Sequence, residues 1–152
     1  MINTQTVISV LAAAVGTLGF GVLFNIRGKK LLVGALGGMF AWLLFEVLGA
    51  FFVNEPIRYF IVSAAASVYA EIFARVMKTP RTTFWIVNLI PLIPGGSLYY
   101  TMSSAVESDF EIFMQRGIYT LELAAALSLG IVTVAAVSRL IKKSKTKETA
   151  TK

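Results

Sequence analysis

The chain has 152 residues, 57% hydrophobic and 14% charged, against about 45–50% apolar and about 25% charged in an average soluble domain, which excludes an ordinary water-soluble fold. It contains no cysteine and no histidine, so disulfides, thiol nucleophiles, imidazole bases and the usual zinc and haem ligands are excluded, and the chain reads as a non-enzyme without metal or cofactor. Its net charge of +6 points away from nucleic acid and toward loops sorted by charge across a bilayer.

Five apolar stretches can be laid along the chain, each long enough to cross a hydrocarbon core about 30 Å thick. The first, residues 4–24, has no charge within or before it, so it reads as a retained helix rather than a signal peptide. Its charges follow, in Arg27, Lys29 and Lys30. The second, 31–53, ends at Asn54, Glu55 and Pro56, a turn. The third, 57–77, is closed by Lys78, Thr79, Pro80 and Arg81. The fourth, 84–102, is interrupted by Pro91, Pro94, Gly95 and Gly96. An acidic segment with Glu107, Asp109 and Glu111, expected as an external loop holding a short amphipathic helix, leads to the fifth stretch, 117–141. The fold class is therefore all-α, a polytopic bundle of five transmembrane helices forming one domain over 1–141, with the fourth helix broken. The basic tail 142–152 has nothing to bury and is expected to be disordered.

Of the Lys and Arg residues, twelve lie after the first, third and fifth stretches or, like Arg75 and Arg139, in their last turns, and only Arg58 and Arg116 lie on the other side. By the positive-inside rule the N-terminus is outside and the C-terminus cytoplasmic, in a multi-pass protein of the plasma membrane, the inner membrane of a two-membrane cell. A fourth stretch that failed to cross would put the basic tail outside, so it is read as broken but spanning. Small-xxx-small pairs at Gly34/Gly38, Ala12/Gly16, Ser63/Ser67 and Ala126/Gly130 let helices approach closely within the chain or between copies in a homo-oligomer.

Ionisable groups at bilayer depth cost about 2.5–3.5 kcal/mol or more, so Glu46 and Glu71 are candidates for proton coupling or for structural pairing. Glu71 precedes Arg75 by four residues, the favourable order for an ion pair on one helix face. The richest segment is 88–102. Pro91 and Pro94 each remove a donor, and Gly95 and Gly96 admit unusual backbone angles, so regular helix fails. Interrupted helices at membrane depth bind substrate in secondary transporters, the positive N-terminus of the second half-helix facing an anionic group. Asn88, Pro91, Pro94, Gly95, Gly96, Ser97 and Tyr99 form the candidate substrate site, with the N–H groups of Gly96, Ser97 and Leu98 as donors. No phosphate-binding loop surrounds Gly28 and Lys29, and one Asp without His cannot build an intramembrane protease.

The run Gly-Phe-Gly-Val-Leu-Phe-Asn-Ile-Arg-Gly-Lys-Lys over 19–30, the glycine-rich second helix with Trp42, and above all Pro-Leu-Ile-Pro-Gly-Gly-Ser-Leu-Tyr-Tyr-Thr-Met over 91–102 resemble the threonine/serine exporter (ThrE) family. Asn25, Pro91, Pro94, Gly95, Gly96 and Tyr99 match the family pattern. Full-length members have about ten membrane helices in two dissimilar halves, and this chain is similar to the C-terminal half. The resemblance implies the small subunit of a two-component exporter, driven by the proton gradient and moving threonine, serine or a related small carboxylate such as succinate. It also implies a larger membrane subunit as partner. Asn25 and Arg75 are further candidates for site or packing roles. The alternative from another class is a membrane scaffold or assembly subunit that docks a partner without transporting.

The charge split makes a direct prediction. A reporter fused after Lys152 reads cytoplasmic and one inserted at Ser108 reads external; both on one side would refute five crossings.

Overall fold

The computed structural model describes the backbone of residues 4–150 and the side chains of residues 4–141. It is all-α, with six helices and no strand among the described residues: α1 Thr4–Leu23, α2 Lys29–Gly49, α3 Glu55–Val76, α4 Arg81–Leu89, α5 Gly95–Val106 and α6 Phe110–Ala150. Four of these are long and apolar enough to cross a membrane, namely α1, α2, α3 and α6 over Phe110–Ile141. The expected fourth stretch is two shorter helices, α4 and α5, joined through a single 3₁₀ turn at Ile90–Leu92. The last helix starts at Phe110 rather than 117, because the Asp109 carboxylate accepts from the Ile112 N–H at 3.1 Å and caps it. It also continues through Ala150, over most of the tail expected to be disordered, while 151–152 lie outside the described residues.

Helix α3 is the hub, packing against α2, α4 and α6. Its buried positions, Tyr59, Val62, Ser63, Ala66, Ser67, Ala70, Glu71 and Ala74, recur at three- and four-residue intervals. Most are small, so three helices can close on it from different sides. On α2, Phe45 meets Tyr59 edge-on at 5.0 Å, and the Tyr69 hydroxyl donates to the Val33 carbonyl at 2.9 Å, so α2 runs antiparallel to α3. On α6, Tyr119 bonds Glu55 and Gly130 lies against Ser63, so α6 runs parallel to α3. On α4, Arg81 reaches Glu71, and Leu92 just beyond α4 joins Val62, so the chain returns antiparallel. The directions of α2, α3, α4 and α6 alternate as a bundle with an interrupted fourth path requires.

Three of the small-residue pairs serve this internal packing. Gly34 faces Val87, Gly38 faces Thr17, Ser63 and Ser67 are fully buried, and Gly130 sits on α3. Of the glycines in these pairs, Gly16 on α1 alone has open space beside it. Three turns share one device, in which a non-glycine residue takes positive φ just after a helix: Asn25 after α1, Lys78 after α3 and Ser108 after α5. At the first, the Asn25 N–H donates to the Val22 carbonyl and the Ile26 N–H to the Gly21 carbonyl, both at 2.9 Å. This is the paired capping pattern that ends helices, and Asn reaches the left-handed region more readily than most residues. Asn25 is thus a helix cap on the surface.

Asn88 is fully buried on α4 against α2, in space left by the missing side chain of Gly37. With the amide oriented so that its nitrogen faces the acceptors around it, that nitrogen donates to the Phe84 carbonyl at 3.2 Å and to the Gly34 carbonyl at 3.0 Å. A Cβ on residue 37 would collide with that amide. Gly37→Ala should therefore lower thermal stability in detergent by about 1–3 kcal/mol, while Gly16→Ala, with no atom within 4 Å of the added carbon, should not. Equal effects at both positions would refute the wedge.

Candidate functional site

Polar chemistry gathers at the two ends of α3. At the basic end, Glu71 Oε1 accepts from Arg75 Nη2 at 2.8 Å and Oε2 from Arg81 Nη1 at 3.2 Å. Arg81 stacks over Trp85, 5.0 Å from the ring centroid. The carboxylate side chain is 8% exposed, Arg81 is 27% exposed and Arg75 56%, so the guanidinium from α4 is the more deeply set partner. The expected Glu71–Arg75 pair exists, and Arg81 joins it across the α3–α4 turn. Glu46 is half-buried on α2 and makes no hydrogen bond or ion pair among the described residues.

The break lies toward the opposite end, near the start of α3. Leu92 packs in one cluster with Ala41, Phe45, Tyr59, Val62 and Leu123. Pro91 is inside the 3₁₀ turn, and Ile93 is extended with ψ 123°. Pro94, at φ −73° and ψ 58°, makes an inverse γ-turn in which the Gly95 N–H donates to the Ile93 carbonyl at 2.6 Å. The Leu98 N–H donates to the Pro94 carbonyl at 3.0 Å, so of the three expected donors only Gly96 and Ser97 are left without a backbone or capping partner among the described residues. Gly95 and Gly96 have ordinary helical φ and open space where a Cβ would stand. Contrary to expectation, the prolines make the break and the glycines begin the next helix.

Ser97 opens onto a cleft of about 310 Å³ that it shares with Tyr100, Arg116 and Tyr119. Arg116 Nη1 donates to Ser104 Oγ at 2.8 Å and to the Tyr100 carbonyl at 3.2 Å. The Tyr119 hydroxyl donates to Glu55, whose other oxygen takes Arg58 Nη2 at 3.0 Å. Arg58 in turn lies 4.5 Å above the Phe45 ring centroid. This polar chain joins α3, α5 and α6 beside the restart of the broken path. Of the candidates named from sequence, Pro94, Gly95, Gly96 and Ser97 surround the restart. Pro91 stands in the turn before it, Tyr99 is exposed on α5, and Asn88 is sealed away on α4. Sequence reasoning missed Arg116, Tyr119, Glu55, Arg58 and Arg81 as parts of a site. A signal for two of them was present: Arg58 and Arg116 are the cations on the minority side of the charge split.

The family model described as Threonine/Serine exporter, ThrE matches residues 9–137, which takes in the hub helix, the break and the cleft. The chain belongs to the threonine/serine exporter family. No curated protein and no solved structure matches it. Exporters of this family are transporters rather than enzymes, and together with the four apolar helices the membership makes this chain an integral membrane protein. Among the described residues no group of three metal-ligating side chains converges.

In this exporter the Glu71 cluster orders the expected losses. Glu71→Gln, which strands two guanidiniums, should lower the melting temperature in detergent most, Arg81→Gln less, and the mostly exposed Arg75→Gln least. Arg75→Gln at or below Arg81→Gln would show that the helix-local pair, and not the bridge to α4, holds the cluster.

Proposed function

We propose that this chain is the small membrane subunit of a proton-gradient-driven exporter of threonine, serine or a related small carboxylate such as succinate, working with a larger membrane subunit in the plasma membrane, its N-terminus outside and its C-terminus cytoplasmic. The observation that carries the reading is the family match spanning an interrupted membrane path. At the restart of that path two unpaired N–H groups stand at the head of α5, beside a cleft that Arg116 also lines. A helix N-terminus carries about half a positive charge with donors already oriented, and a guanidinium adds a bidentate partner for a carboxylate. The Ser97, Tyr100 and Tyr119 side chains supply polar contacts for the rest of a small hydrophilic molecule.

A requirement for a second subunit is supported by what this chain leaves uncovered. The cleft is open, and Leu98, Tyr99, Met102, Val106, Phe110 and Leu121 around it are more than half exposed. Glu71 is the preferred proton-coupling carboxylate, since Arg75 and Arg81 both respond to its charge, and Glu46 is the second.

The test is export of labelled threonine from cells that also express the larger subunit. Arg116→Gln should reduce export about tenfold or more, as loss of a charged hydrogen bond does, and Pro91→Ala, which restores a backbone donor and lets the helix run on through the break, should also reduce it, with the complex still assembling in both. At matched amounts of folded complex, Glu71→Gln should lose gradient-driven export and keep exchange. Parental export by both Arg116→Gln and Pro91→Ala at normal expression would refute the site, and loss of assembly in their place would favour a scaffold.

A further inference from the structure

The basic end of the bundle has a second concavity, apart from the proposed substrate cleft. A cleft of about 370 Å³ at the α3–α4 turn is lined by Glu71, Arg75, Lys78 and Arg81 with the turn backbone around them. Three cations face one carboxylate, and both oxygens of that carboxylate are already bonded to arginines. The remaining N–H groups of Arg75 and the Lys78 ammonium have no acceptor among the described residues. The cleft therefore offers unused donors and an excess of positive charge at one place.

A groove of about 310 Å³ between α3 and α6 adjoins it through the shared lining residues Glu71 and Arg75. Beyond those two residues the groove is mostly apolar, walled by Val68 and Ile72 of α3 and Val134, Val137 and Ile141 of α6. Along α3 it reaches from Arg75 to Val68, about 10 Å at the helical rise, away from the charged end and toward the middle of the bundle. Charge at the rim of the apolar zone and a hydrocarbon slot leading inward match a molecule with an anionic head and an aliphatic tail. A small free carboxylate would satisfy the cations and leave the slot empty. A zwitterionic lipid would bring a quaternary ammonium against the excess positive charge. Basic pockets between membrane helices are an established physical solution for anionic headgroups.

We infer that this compound site binds one anionic phospholipid, with its phosphodiester at Arg75 and Lys78 and an acyl chain between α3 and α6. Arg75, the exposed arm of the cluster, turns to the phosphate, while Arg81 keeps Glu71 paired.

The test uses the full chain purified in detergent, with lipid retention read by native mass spectrometry and affinity by titration. The probes are dioleoyl phosphatidylglycerol, dioleoyl phosphatidylcholine and glycerol 3-phosphate. One phosphatidylglycerol should be retained and phosphatidylcholine should not. Lys78→Gln should weaken phosphatidylglycerol about five-fold, the effect of one cation near an anionic headgroup. Val137→Trp, which fills the slot at a half-exposed position and leaves every charge in place, should also weaken it, and glycerol 3-phosphate should not displace it. Equal retention of the two lipids, or parental binding by both variants, would overturn the proposal. Displacement by glycerol 3-phosphate would make the site one for free anions and overturn the lipid assignment. None of these readouts depends on transport, so the site stands or falls apart from the proposed function.

Discussion

Glu71 sits near the end of a stripe of small side chains on α3 and draws one guanidinium from its own helix and another from the far side of a turn. A carboxylate in an apolar bundle is costly unless its charge is matched and its lone pairs are used. Arg75 is available to it by helical spacing alone. Arg81 is available only if the chain reverses within a few residues, and Lys78 makes that reversal by taking positive φ. The start of α4 is thereby pinned to the end of α3. From that anchor Phe84, Asn88 and Leu92 reach their buried places at successive four-residue steps, each one turn farther from the charge. The direction of the interrupted path therefore follows from one ionic cluster and the shape of the helix it docks on.

At the other end of that path the constraint is backbone accounting. Lipid offers no hydrogen bonds, so an interrupted helix persists only where other groups, protein or water, receive the freed donors and acceptors. The Pro94 turn uses one N–H locally and leaves those of Gly96 and Ser97. They are not set against α1, α2 or α3, because α5 has left the core to pair with α6, and an open cleft adjoins them. An interruption in the middle of the bundle would have stranded these donors among apolar side chains. Near the start of α3, where Glu55, Arg58, Arg116 and Tyr119 already form a polar chain, they remain available to a ligand.

Much of this was legible in the sequence, for reasons that also mark where reading stops. The apolar stretches, the charge split and the Glu71–Arg75 pair are local properties, encoded in spacing along one segment. So was the interruption, because two prolines three residues apart defeat a helix wherever it lies. Arg81 was not legible as a partner of Glu71, since ten residues and a reversal separate them. Asn88 read as part of the site because a polar residue near a break invites that role. Its actual surroundings depend on Gly37, some fifty positions earlier, leaving room for an amide. Gly95 and Gly96 were credited with the break because glycine permits positive φ; permission is not use, and proline alone sufficed. The two arginines on the wrong side of the charge split were the best unread signal, each one an exception that a tertiary contact explains.

The distribution of finished and unfinished surfaces bears on how such a chain can work. Where α3 meets α4 the packing is closed: Val62, Ala66, Ala70, Phe84 and Leu92 have no more than 1% of their surface exposed. Around α5 and the first turns of α6 it is not, for apolar side chains there stand clear of the core while Arg116 and the α5 N-terminus face an open cleft. A carboxylate bound in such a cleft would be held on one side and bathed by solvent on the other, where charge-assisted bonds lose most of their strength to screening. Selective binding needs a second wall that excludes water. The apolar residues flanking the cleft are the kind of surface against which such a wall can seal, and the polar groups between them are the kind it would enclose. The cleft is thus walled by α5 and α6 and tied to the hub helix through the Tyr119–Glu55 bond, so the closed packing on α3 fixes one end of it and leaves its α5 side uncovered.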